Sequence, residues 1–133
     1  MAYTRARVIR EMIQYFDNDD RRIEHAMRVF FHAERLAMEA ADCDSDVLTA
    51  VALLHDIGIK QSEATLGYNN AKTQEEYGPP VAEQLLQSIQ FPAEKIEKVK
   101  DIIGNHHSRS RFDYPELEIL KQADRIVNLV EKV

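Results

Sequence analysis

One cysteine, Cys43, stands in 133 residues, and tryptophan is absent. A lone thiol rules out an internal disulfide, as suits a reducing compartment, and it disfavours a zinc site built from several thiolates. Glycine and proline number only four each, too few for a low-complexity or fibrous chain. No apolar stretch approaches the ~20 residues that a membrane-spanning helix needs. The opening "MAYTRARVIREMIQYF" is interrupted by arginines and lacks the apolar centre of a signal peptide. Positive charge is also in short supply, with 17 Lys and Arg against 23 Asp and Glu and a net charge of −6. That balance argues against broad attraction to nucleic acid or an anionic membrane. The expectation is a soluble, cytoplasmic protein with neither as a partner.

What is present is the composition of a globular domain, 44% apolar and 30% charged. A chain of this length buries about two-thirds of its unfolded surface, so a single domain over 1–133 is expected. Apolar residues recur at helical spacing nearly everywhere, and strand-like alternation is missing. The pattern predicts an all-α bundle of about six or seven helices. The first covers roughly 4–16 and the second about 20–41. A third starts near Asp46 and stops at Gly58, read as a C-terminal breaker. The polar stretch 59–72 is expected to be the longest irregular segment and a candidate lid. "GPP" at 78–80 is read as opening a helix, Pro92 as starting another that reaches His107, and Pro115 as starting the last.

The informative residues are polar ones that fall on apolar stripes. His25 precedes Val29, Ala33 and Leu36 at spacings of four, eight and eleven. His55 follows Val51 by four, and Asp56 follows Ala52 by four. His106 follows Ile103 by three, and Asp124 follows Leu120 by four. Burying charge costs several kcal/mol unless it is paired or bound to a metal. A lone inward histidine is more often a hydrogen-bonded core residue than a ligand, and Arg28 and Arg125 offer ion-pair partners for such groups. Several inward histidines and carboxylates on four helices weaken that reading. Imidazole and carboxylate donors together suit Mn, Fe, Co, Ni or Zn, with Mg a further option. His32 lies seven residues beyond His25 near the same stripe, and periodicity alone does not choose between them.

"HAMRVFFHAERLA", "ALLHDIGIK" and "ILKQADRIVNL", taken in this order and spacing, resemble the HD-domain superfamily of metal-dependent phosphohydrolases over about 20–130. The resemblance favours His25 over His32. It implies a helical bundle holding one divalent metal through His25, His55, Asp56 and Asp124, with a second, weaker metal as an option. It implies hydrolysis of a nucleotide or another small phosphorylated metabolite, with Asp56 or a nearby carboxylate positioning water, and Glu75 is a candidate base or extra ligand. Lys60 resembles the phosphate-binding, catalytic cation that often follows this motif, but stands one residue later than is usual. Branches with two or more metals carry an additional histidine where this chain has Gln74, yet His106-His107 matches their histidine pair. His106, His107 and Arg109 are therefore candidates for substrate phosphate or a second metal. "QEEYGPPVAEQLL" is similar to a small bacterial subgroup of HD hydrolases without carrying a substrate over. Tyr68, Tyr77, Phe112 and Tyr114 are candidates to flank a base or sugar, or simply to pack. The alternatives are a non-catalytic ligand-binding or regulatory HD module and a two-iron oxygenase of the same scaffold, which Gln74 disfavours. A homodimer is a further expectation, since small helical domains often pair.

Overall fold

The computed structural model describes residues 2–131. It contains α1 (Thr4–Phe16), α2 (Asp20–Ala37), α3 (Ser45–Leu54), α4 (Gly58–Leu66), α5 (Ala71–Ser88), α6 (Ala93–Ile103) and α7 (Pro115–Glu131), with no strand among the described residues. The all-α expectation holds. No helix is long and apolar enough to cross a membrane.

α3 lies at the centre. Every residue from Val47 to Leu54 is buried, because α1, α2, α6 and α7 all pack around it. A helix covered on all sides needs apolar residues on all sides, which explains the run "VLTAVALL". Its start is fixed by Asp44, whose carboxylate accepts hydrogen bonds from the Asp46 and Val47 amides at 3.0 and 3.1 Å. α2 and α7 pack along one another and carry amphipathic stripes: Ala26, Val29 and Phe30 from one, Leu120, Ala123 and Val127 from the other.

Several segment boundaries differ from expectation. Gly58 does not stop a helix but begins α4. A Cβ placed on it would lie 2.5 Å from the Gly78 amide nitrogen, so Gly58 serves a close crossing of α4 over α5. The anticipated irregular stretch 59–72 is mostly α4, and only 67–70 lie between α4 and α5. Ser62 is buried on α4 and donates to the Tyr68 carbonyl or Thr73 hydroxyl, both within 2.8 Å, which folds the short turn inward. Gly67, at φ 82°, takes the left-handed conformation that ends α4.

Pro79 and Pro80 lie inside α5 rather than at its start. The capping box of Asn70 and Thr73 begins the helix well before them. Packing against α4 and α6 carries it through the positions where the prolines withdraw two backbone donors.

Candidate metal centre

The site forms where the end of α3 meets α2, α7 and the turn after α6. α2 supplies His25, α7 supplies Asp124, and the residues just past α3 supply His55 and Asp56. The Nε2 atoms of His25 and His55 lie 3.4 Å from Asp56 Oδ2. They lie 3.2 and 3.4 Å from Asp124 Oδ1. His25, His55 and Asp56 each offer a ligand atom within 4.8 Å of the others, and Asp124 reaches both imidazoles.

The opposite ring nitrogens determine which tautomer is present. His55 Nδ1 lies 2.9 Å from the Ala52 carbonyl, and His106 Nδ1 lies 2.6 Å from the Ile103 carbonyl. His25 Nδ1 lies 2.9 Å from Glu131 Oε1. Carbonyls and carboxylates only accept, so each Nδ1 must carry the hydrogen. Each neutral ring then directs the bare lone pair of Nε2 into the site. This is the outer arrangement that orients metal-bound histidines. His55 Nε2 and His106 Nε2 are buried without a hydrogen-bond partner.

Lone pairs on nitrogen and carboxylate oxygen face one another here at 3.2–3.4 Å. Such an arrangement requires a cation or protons between them. In the bare protein the demand appears as proton affinity. Burial alone would lower the His55 pKa, but the adjacent Asp56 charge and contact with Asp124 raise it to about 9. Burial likewise opposes the charge of Asp56 and Asp124, yet the imidazoles hold both carboxyls well below the usual range: His55, His106 and His25 act on Asp56, while His25 and His55 act on Asp124. The donor set fits a divalent transition metal on lone-pair direction, burial and ligand chemistry.

The family comparison agrees with this geometry. The HD domain model matches residues 22–129, most of the chain. The chain belongs to the HD-domain family. The match spans all four residues of this HD centre, from His25 to Asp124. Searches of curated proteins and of solved structures found no match.

Other residues of this HD domain divide between the site and its supports. His106 and His107 follow the end of α6 instead of lying on it. They join Asp56 in a second group whose ligand atoms lie within 4.8 Å of one another. His106 Nε2 is 3.9 Å from Asp56 Oδ1, so the two Asp56 oxygens face different groups of histidines. The buried Asn105 shapes this turn: its amide donates to Ser108 Oγ and the Arg109 carbonyl, and its oxygen accepts from the Arg111 amide. His32 is outside the site, paired with Arg35.

Lys60, Glu75 and Arg109 are not brought into the ligand group. The Lys60 ammonium donates to the Tyr15 carbonyl at 3.1 Å and lies 5.1 Å from the centre of the Tyr15 ring. One residue of delay after Gly58 turns that side chain toward α1. Glu75 accepts from the His107 amide and the Ser108 hydroxyl, at 3.0 and 2.8 Å, and so holds the histidine turn from outside. The Arg109 side chain is exposed, and its contribution to the turn is a backbone carbonyl.

Sequence periodicity overlooked Glu131, Asn105 and Arg22. Glu131 stands seven residues after Asp124, two turns along the same face of α7, and that spacing was the available signal. Two cavities adjoin the centre. One, of about 180 Å³, is lined by His25, Asp56 and Asp124 together with Arg21 and Arg22. The other is a groove of about 640 Å³ between the histidine turn and α7, lined by Lys121, Gln122 and Arg125 among others. The two share His107, Asp124 and Asn128.

Proposed function

We propose that this protein is a metal-dependent phosphohydrolase that releases phosphate from a small phosphorylated metabolite. The observation that carries the reading is the buried set of unpartnered imidazole nitrogens opposed to two carboxylates, beside a cavity lined by arginines. His25, His55, Asp56 and Asp124 would hold the ion. A divalent ion bound there lowers the pKa of water and polarises a phosphoryl oxygen. Asp56 would orient the attacking water by accepting its hydrogen bond, a role that asks only for hydrogen-bond reach. As water oxygen joins phosphorus, the bond from phosphorus to the ester oxygen breaks; one water proton ends on the departing alkoxide as an alcohol and the other on the released phosphate.

Asp56, His106 and His107 favour a second, weaker metal position beside the first. Gln74 bears on its strength, because its side-chain oxygen is paired with His107 Nε2 and occupies that nitrogen. A two-iron oxygenase would need that position filled firmly, so hydrolysis is the better reading.

The aromatic candidates support a polar substrate rather than one sandwiched between rings. Phe112 and Tyr114 stack on each other, with centroids 5.2 Å apart, and none of Tyr68, Tyr77, Phe112 or Tyr114 lines either cavity. The test is a panel of sugar phosphates, polyol phosphates and nucleotides, incubated with protein loaded with Mn, Co, Ni, Zn or Mg. Release of inorganic phosphate from members of the panel is expected. No release with any metal would contradict the assignment.

A further inference from the structure

We propose that Arg22 is the residue that binds the substrate's phosphate, in the place that Lys60 leaves open. This rests on the phosphohydrolase reading and specifies how that site recognises its anion.

The argument begins with charge. Asp56, Asp124 and Glu131 all line the 180 Å³ cavity. Arg28 pairs with Glu131, and a single divalent ion offsets only Asp56 and Asp124, so the charge of an entering phosphate dianion is left unmatched. Further positive charge must come from side chains. Most nearby cations are already engaged: Arg28 with Glu24 and Glu131, Lys121 with the Ser108 carbonyl and the Ser110 hydroxyl, and Lys60 with Tyr15. Arg21 and Arg22 line the cavity and form no ion pair among the described residues.

Position distinguishes the two. Arg22 precedes His25 by three residues, which places it one helical turn away on the same side of α2. It is half-buried, whereas Arg21 is exposed. Its backbone is also fixed, because its amide donates to the Asp19 carboxylate at 3.3 Å where α2 begins. A guanidinium presents paired N–H donors that match two phosphate oxygens, and it remains charged at any working pH.

Size then bears on the remainder of the substrate. The cavity falls below the ~300 Å³ at which sites for drug-sized ligands begin. The phosphate fits there, and the rest of the molecule must extend past His107 and Asn128 into the larger polar groove.

The experiment measures binding of inorganic phosphate to Mn²⁺-loaded protein by calorimetry, with Mn²⁺ affinity measured separately. Arg22→Gln is expected to weaken phosphate binding roughly tenfold or more while leaving Mn²⁺ affinity within about twofold, the size expected for losing a charge-assisted pair. Arg22→Lys should recover part of the loss, and Lys60→Ala should leave phosphate affinity unchanged. If the parent binds phosphate and Arg22→Gln binds it equally well, the role of Arg22 is overturned and the hydrolase reading stands. Loss of phosphate binding in Lys60→Ala but not in Arg22→Gln overturns it in the same way. A parent that binds Mn²⁺ but no phosphate overturns both.

Discussion

Each imidazole at the centre has one nitrogen committed before any ligand arrives. Ala52 and Ile103 commit two of them through backbone carbonyls, which no substitution at those positions removes. The third depends on a side chain, since Glu131 alone holds His25 Nδ1. Glu131→Ala should therefore weaken divalent-metal affinity about 10–100-fold, the usual cost of losing such an outer partner. Glu131→Gln keeps an accepting oxygen and should recover most of it. Competition against a chelating dye measures both, and equal affinity in all three proteins would show that Glu131 does not orient the ligand. The inward placement of His25, His55, Asp56 and Asp124 was legible in the sequence from helical stripes, and the family resemblance chose His25 over His32. Glu131 and Asn105 were not, because their work is done through hydrogen bonds across the fold, and periodicity carries no information about those. Lys60 meets Tyr15 for a related reason: distance along the chain does not say which way the first turn of α4 faces.

At the scale of elements, the histidine turn and the α4–α5 crossing hold the site from outside. Gly58 stands two residues after Asp56, and neither it nor Gly78 has room for a methyl group, Gly58 because of the Gly78 backbone and Gly78 because of Ile103 on α6. A Cβ on Gly58 meets backbone at 2.5 Å, while one on Gly78 meets Ile103 at 2.7 Å. Gly58→Ala should destabilise the fold by about 1–3 kcal/mol, the typical cost of overpacking, as measured by urea titration. It should also weaken metal binding, since α4 continues directly from the Asp56 segment. A stability equal to the parent's would show that the two helices separate freely. The all-helical bundle and the start of α1 were readable from apolar spacing, and the start of α7 from Pro115. The boundaries that misled were glycine and proline positions, where local propensity yielded to packing: Gly58 permits contact rather than ending a helix, and Pro79-Pro80 are carried by a capping box upstream and by helices on either side.

For the whole molecule, the centre links folding, protons and metal. In the metal-free protein, the raised pKa of His55 contributes stability that is fully present below about 6.5 and is lost as pH rises through about 9. The depressed Asp56 and Asp124 contribute stability that is present above the ordinary carboxylate range and lost as pH falls below it toward their depressed folded values. Metal-free protein should therefore unfold at its highest temperature in mildly acidic solution and lose stability toward pH 9. Metal binding must displace the site's protons, so metal affinity should rise with pH, about tenfold per pH unit for each proton released, and level off above about pH 9. Melting curves with and without Mn²⁺ across pH 5–10 test both statements. Parallel curves at all pH values would contradict the linkage.

The central claim is that this centre binds a divalent ion, and metal content per chain tests it most directly. Parent protein dialysed against Mn²⁺ and then against metal-free buffer should retain at least about one ion per chain by elemental analysis. Asp56→Ala should retain essentially none while keeping the helical circular-dichroism spectrum of the parent. An Asp56→Ala protein that retains the parent's full metal content would contradict the account.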